Sequence, residues 1–529
     1  MSTKVLVDKF NKLPHKRLAP SGKVPNEYHF DIRYVAMEPP SHVMLLFQPE
    51  SKYIHIERLP AGLPSGSSGI EFFPETAEQA APTIAQAILH SFTANVDKQA
   101  KAFDPSAVPP QAPWKLMTED PDLARAIGKE MRSLGVRVTE LHTISISPKK
   151  VVRDAQEAFN KLFAMIRSAP VIKTPDAIIF RAPVQPSDPP PADETSAIVK
   201  YVQTFNNAKP PREADPAWLQ LIPKEVAAKT VYLSRHPAHE IKGEADAGNP
   251  TAMVDLAMRH ISGYQCKPDR AVWYEYLVKA IKSPNAPAEL KSTAHALLID
   301  WFVSGCGKSM PIRYMLAASH HAEHALRLAQ EVSPPSHNAS GAVLYFLMYL
   351  FRDNAEKLVI PELLVHYRTC WDAIQTRLAQ VNKESGKMQV KRMKQPNRYR
   401  CANPGCGIVA DKGKMLMQCS GKCDADKKPA YCGKACQKAD WKNHKPFCKP
   451  GMPCSVIDDS ADDPVDVGGS RDGAYGIRVP MEDGTRTITS STLTPEQLKG
   501  FRDAVAQHRG GVAPPFESGL AVDMSALRL

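Results

Sequence analysis

Tyr431 to Cys448 reads YCGKACQKADWKNHKPFC, with three cysteines, a histidine and a tryptophan set among lysines. Upstream, Cys401, Cys406, Cys419 and Cys423 join Cys432, Cys436, His444 and Cys448 in the order C-x4-C-x12-C-x3-C-x8-C-x3-C-x7-H-x3-C. Zinc takes four thiolate or imidazole ligands in a tetrahedron, so eight ligands make two closed sites. The short spacings set two thiolates on one knuckle, and the long gaps let distant pairs converge. His444 and Cys448 are four residues apart, which predicts that both lie on one helical face. Neither site keeps an open coordination position, so the expectation is two structural Zn2+ and no catalytic metal. With few other apolar residues in this segment, folding and metal binding should be coupled.

Composition supports metal over disulfides. Seven of the eleven cysteines fall between Cys401 and Cys448. No apolar run reaches the roughly 18 residues that a membrane span needs. The opening MSTKVLVDKFNKLPHKR lacks the apolar core and cleavage site of a signal peptide. The reading is therefore an intracellular protein, nuclear or cytoplasmic and without a membrane partner, whose thiols stay reduced. In that setting a dense cysteine cluster points to metal. Cys454 is expected to be a free thiol, while Cys266, Cys306 and Cys370 read as small buried hydrophobes. The net charge is +11, and basic residues are densest from Lys387 to Lys449.

The tyrosine before Cys432, Gln437 after Cys436, and the Asp440–Trp441 pair ahead of His444 resemble a MYND-type zinc finger. The second half, C-x3-C-Q-x2-D-W-x2-H-x3-C, matches closely, whereas Cys401/Cys406 and Cys419/Cys423 are spaced more widely than the usual knuckles. The resemblance implies interleaved ligation. Cys401, Cys406, Cys432 and Cys436 would take one zinc, and Cys419, Cys423, His444 and Cys448 the other. It also implies a protein partner carrying a proline-containing peptide motif, with Ser420, Gln437 and Trp441 matching groove positions. An indole face suits proline rings, and Gln and Ser side chains suit a peptide backbone. Trp441 as a core residue of a tiny domain is the competing reading. Twelve Lys/Arg against four Asp from Arg398 to Lys449 leave nucleic acid as a less favoured partner. Only Tyr431, Trp441 and Phe447 are there to stack on bases.

The chain as a whole reads as a multidomain α+β protein. Residues 1–180 form an α/β domain of unassigned role, with strands at Tyr28–Ala36, His42–Pro49 and Tyr53–Leu59. Thr76 and Asp120 are expected to cap helices, and Gly135 to end one before a strand in VRVTEL. Residues 181–222 are Pro-rich and expected to be an extended linker. From 223 to 381 the text is helical. Ala245, Gly248, Ala252, Leu256, Ala257 and Gly263, then Asp269, Ala271, Trp273, Tyr274 and Ala280, resemble a SEL-like repeat, related to tetratricopeptide repeats. A weaker copy runs from Ala294 to Ala325. That resemblance implies a protein-binding scaffold. A basic connector (382–400), holding an import-like cluster at Lys391, Arg392 and Lys394, leads into the finger (401–448). The tail (449–529) is expected to be largely disordered, with a weak strand and a short helix.

Two motifs are decoys. SGCGKS (Ser304–Ser309) lacks the leading glycine of a phosphate loop, because Phe302 stands there. HHAEH (His320–His324) reads as a helix surface. A SET-type lysine methyltransferase, a class that also carries this finger, would need a Gly-rich cofactor loop and a downstream N-H-[SC] motif. The sequence shows neither, so the expectation is a non-enzymatic interaction adaptor or regulator, with a nucleic-acid-associated transcriptional regulator as the alternative.

Overall fold

The computed structural model describes residues 3–36, 40–61, 72–95, 111–167, 170–180, 191–211, 218–304, 311–332, 339–394, 396–410, 412, 414–456, 474–481, 484–490 and 493–509. The chain divides into two compact units, Met1–Ala373 and Ile374–Leu529. Among the described residues, no helix is long and apolar enough to cross a membrane.

The first unit is built on a five-stranded sheet. β1 (Glu27–Val35) and β2 (Ser41–Phe47) pair antiparallel, and β3 (Ile54–Leu59) extends the antiparallel side. β4 (Lys115–Thr118) and β5 (Ser145–Ile146) add in parallel on the other side, giving the order β3-β2-β1-β4-β5. Side chains alternate across a strand. Phe30, Ile32, Met44 and Leu46 therefore share one core with residues of the helices Thr3–Phe10, Ala77–His90 and Pro121–Ser133. Leu45 and Phe47 belong to the opposite face, packed with Phe159 and Phe163 of the helix Lys149–Ile166. Every residue of β2 is buried, as a strand covered on both faces requires.

That second cover has a consequence for β1. Its alternate residues His29, Asp31 and Arg33 are buried instead of facing water. Arg33 donates to both Asp31 carboxylate oxygens at 2.9 and 2.5 Å, to Gln156 Oε1 at 2.7 Å and to the Pro175 carbonyl at 3.0 Å. Its guanidinium also lies 4.4 Å from the centre of the Phe159 ring. His29 Nδ1 is 2.8 Å from Ser147 Oγ, closing the row onto the segment before the helix. Burial by itself would raise the Asp31 pKa, but hydrogen bonds from Arg33 and His29 outweigh it and hold the carboxylate ionised. Removing one partner would leave a buried unpaired charge, at a cost of about 3–5 kcal/mol.

Local signals act as expected at several ends. Thr76 Oγ1 accepts from the Gln79 amide, Asp120 caps Pro121–Ser133, and Gly135 at φ +79° lets the chain leave that helix. VRVTEL is not a strand. Its residues run into a 3-10 turn at Thr139–His142, and the short pairing strand comes later, at β5. Gly248 and Gly263 adopt the left-handed region that ends the helices Ala238–Asp246 and Pro250–Ser262. Asp269 caps Arg270–Lys282, which Ala288–Val303 and Ile312–Gln330 follow. Ala245, Ala252, Ala257 and Ala280 are all buried at the contacts between these helices, where small side chains allow close approach. Gly305, part of the weaker repeat copy, and residues 305–309 of the phosphate-loop decoy lie outside the described residues.

Three further expectations are corrected within this unit. Residues 194–208, read as extended linker, form the helix Glu194–Ala208, capped by Asp193 and tied by Tyr201 Oη to Asp255 Oδ1 at 2.6 Å. Residues 181–190 and 212–217 of that linker lie outside the described residues. The α/β and helical parts, read as two domains, fall within one compact unit. Phe73 packs edge-on against Phe302 at 4.9 Å, Arg270 pairs with Glu75 at 2.8 Å, and Arg313 donates to the Pro74 carbonyl at 3.1 Å. Thirdly, HHAEH is not a helix surface, because His320 and His321 are 8% and 0% exposed.

The helix Arg368–Lys394, which starts in the first unit and lies mostly in the second, covers the first part of the expected connector; the side chains of Lys391, Arg392 and Lys394 lie outside the described residues. β6 (Val409–Ala410) pairs with β9 (Tyr475–Met481), which pairs with β10 (Gly484–Ser490). β7 (Met417–Gln418) and β8 (Ala430–Tyr431) make a separate pair ahead of the helix Lys434–His444. The stretch 474–509, where a weak strand and a short helix are expected within a largely disordered tail, is a hairpin followed by the helix Pro495–Arg509. Thr494 and Gln497 exchange capping-box hydrogen bonds of 2.8 and 3.3 Å at its start. Ile477, Val479, Ile488 and Leu498 share a core with Ile408, Leu416 and Tyr431 of the finger, a face too small to be buried by the hairpin alone. Residues 457–473 and 510–529 of the tail lie outside the described residues.

The buried histidines of the first unit generate a pH dependence. His295 Nδ1 lies 2.9 Å from His321 Nδ1, and neither ring nitrogen of His42 has a partner among the described residues. Burial pushes His42, His295 and His321 well below the ordinary histidine pKa of 6.5, and His320 down to about 3. Arg313 beside His42, and His324 beside His295 and His320, add to the effect. The unfolded chain takes up these protons near pH 6.5 and the folded unit only far lower. Stability is therefore lost as pH falls below about 6.5. Each histidine that stays neutral costs about 2 kcal/mol at pH 5. Urea unfolding followed by tryptophan fluorescence should show a lower midpoint at pH 5 than at pH 7.5, and His320→Gln should flatten that slope. Equal midpoints at the two pH values would contradict the buried cluster.

Candidate metal centres

The finger begins where the chain leaves the short helix Pro396–Tyr399. Asn397 Nδ2 donates to the carbonyls of Asp426 and Lys428 at 3.0 and 2.9 Å, which draws the start of the finger onto its middle loop. Backbone bonds from Cys401 N to the Ile408 carbonyl, and from Ala402 N to the Ala430 carbonyl, fold the first knuckle beside β8. Gly405 and Gly407 have φ of +76° and +73°, a turn that a residue with a side chain would enter only under strain. The wide C-x4-C spacing is accommodated in this way.

Cys401, Cys406, Cys432 and Cys436 come together in the first site; Cys419, Cys423, His444 and Cys448 form the second. Within each, the ligand atoms all lie inside 4.8 Å of one another. In the first, Cys406, Cys432 and Cys436 sulfurs are 3.5–3.7 Å apart. In the second, Cys423 and Cys419 are 3.6 and 3.8 Å from Cys448, and His444 Nε2 is 3.3 and 3.4 Å from Cys419 and Cys423. A zinc ion with bonds of about 2.3 Å to sulfur spreads its ligands about 3.8 Å apart. Both quartets are close to that size, and no described cysteine is in a disulfide. Two Zn2+ fit these residues, with every coordination position filled by protein. The ions would supply cross-links between knuckles and leave no place for a substrate.

One helix serves both centres. Lys434–His444 carries Cys436 into the first site and His444 into the second, two turns further on. Tyr431 Oη donates to Asp440 Oδ2 at 2.9 Å, fixing this helix against β8 from its buried side. Cys448 is not on the helix, contrary to expectation. The α-helix stops at His444, and a 3-10 turn through Lys445–Phe447, containing Pro446, redirects the chain to bring Cys448 back. His444 Nδ1 is 3.0 Å from Ser455 Oγ, which leaves Nε2 as the ligand atom. Burial lowers the His444 pKa against the opposing pull of Asp440, so the ring is neutral and its lone pair free for a metal.

Gly421 was not singled out by spacing. A Cβ there would overlap Cys448 Sγ and sit 3.3 Å from Cys419 Sγ, so the second site accepts only glycine at that point. The three residues predicted to read a peptide come from two elements of the finger. Gln437 and Trp441 stand one turn apart on the helix Lys434–His444 and so share a face, and Trp441 is 42% exposed, which removes the core reading. Ser420 is exposed on the knuckle between Cys419 and Cys423. Of the other cysteines, Cys370 is buried and Cys454 is a free thiol outside both quartets, as expected, whereas Cys266 is only half-buried; Cys306 lies outside the described residues.

Purified protein should contain about two zinc ions per chain by elemental analysis. Cys432→Ser should lower this by about one, and Gly421→Ala should do the same through the second site. Retention of both ions in either variant would contradict the assigned quartets.

Residues 400–448 match the MYND finger family. No curated protein and no solved structure matches the chain. The match, the order of the ligands and their convergence into two quartets agree: residues 400–448 are a MYND zinc finger, of a kind that generally mediates protein–protein interactions.

Proposed function

We propose that the protein is a non-enzymatic, intracellular adaptor or regulator whose finger reads a proline-containing peptide. The observation that carries this reading is Trp441, a large apolar ring held 42% exposed on the helix that both zinc sites anchor. A ring on so rigid a support loses little entropy when a partner covers it. Gln437, one turn earlier on the same face, supplies an amide to hydrogen-bond an extended backbone.

Charge supports a finer statement. Lys434, Lys438, Lys442 and Lys445 are all exposed, and at about 100° per residue they form a stripe beside Gln437 and Trp441. A peptide with acidic residues flanking its proline would meet both features. The close-packed helices Ala238–Asp246 through Ile312–Gln330 support a second role as a SEL-like scaffold for other partners.

Affinity purification with the full chain tests the finger. Trp441→Ala should weaken recovery of the peptide partner by at least about tenfold, the usual weight of a central tryptophan. Its zinc content should stay at the wild-type level. Undiminished recovery would remove Trp441 from the interface. A nucleic-acid partner, which the same lysines would serve, would instead appear as oligonucleotide binding that weakens steeply with salt and ignores Trp441→Ala.

A further inference from the structure

The two metal centres differ in formal charge. Four thiolates on one Zn2+ leave −2, whereas three thiolates and a neutral imidazole leave −1. The excess anion on the first centre is met from outside the 400–448 finger. Lys499, half-buried on the helix Pro495–Arg509, places Nζ 3.1 Å from Cys432 Sγ and 3.3 Å from Cys436 Sγ. One turn later on that helix, Arg502 donates to the carbonyls of Gly405 and Cys406, at 3.3 and 3.0 Å, on the knuckle of the same centre. Three further contacts hold the helix and hairpin there. β9 pairs with β6, Tyr475 Oη donates to the Met415 carbonyl at 2.9 Å, and Leu498 is fully buried in the finger's core.

We propose that Lys499 is a positioning residue of the Cys401/Cys406/Cys432/Cys436 centre. Its ammonium offsets the surplus thiolate charge, and its hydrogen bonds occupy sulfur lone pairs that would otherwise attack electrophiles. The C-terminal hairpin and helix are then a working part of the finger. With Lys499 in place the two centres carry the same formal charge, which lowers the reactivity of the all-cysteine centre toward that of its neighbour. A hydrogen-bonded thiolate is a poorer nucleophile, because the lone pair needed for attack is engaged.

The test uses the full-length, zinc-loaded protein. N-ethylmaleimide alkylation is followed at each cysteine by peptide mass spectrometry, with zinc release read in parallel by a chromogenic chelator. Lys499→Met keeps the stem and removes the charge. It should accelerate alkylation of Cys432 and Cys436 by about tenfold, consistent with loss of a charge-assisted hydrogen bond. Cys419, Cys423 and Cys448 should react as in wild type, and Lys499→Arg should keep most of the protection. Hydrogen exchange over 474–509 separates charge from docking and should be unchanged in Lys499→Met. Equal alkylation rates in wild type and Lys499→Met, or acceleration accompanied by faster exchange across 474–509, would overturn the proposal.

Discussion

Two tetrahedra of ligands, assembled from eight side chains on a short chain, are the constraint on which the second unit depends. Metal coordination is strong and directional, so it fixes knuckles whose hydrophobic core is small. Its demands show in details unrelated to apolar patterning. Gly405 and Gly407 turn with positive φ, Gly421 has no room for a side chain, and the chain breaks from α-helix to 3-10 turn after His444. The helix Lys434–His444 is anchored in both centres, and that holds the exposed Trp441 in a fixed position.

The first unit meets a different constraint. Its sheet is covered on both faces, so a strand with alternating polar residues has no solvent side to offer them. The row His29–Asp31–Arg33 is tolerated because each charge finds its complement within hydrogen-bond reach. The histidines at 295, 320 and 321 resolve the same problem by staying neutral in the interior. Polar groups in this unit are therefore part of its core.

Much of this organisation was legible in the sequence. Strand alternation marked β1 to β3, capping residues marked helix starts, and ligand spacing marked both zinc sites. These features are local, or depend on a chemistry so selective that spacing identifies it. The misread features are of another kind. VRVTEL has strand composition but joins no sheet among the described residues and runs into 3-10 geometry. Residues 194–208 follow a run of prolines, yet fold as a helix because Tyr201 reaches Asp255 across more than fifty positions of sequence. The hairpin 475–490 is weak as a local signal and gains its burial from the finger's own core.

By itself the sequence determined the identity and order of the zinc ligands, because thiolate and imidazole are the side chains that hold zinc and their spacing limits how they pair. It determined the helix ends at Asp120, Gly248 and Gly263 for a similar reason, since caps are satisfied within a few residues. Tertiary structure alone decided that the α/β and helical parts form one unit, that HHAEH is interior, and that Lys499 meets sulfurs more than sixty residues away. Those outcomes rest on which surfaces can be buried together, and burial is set by the packing of distant segments.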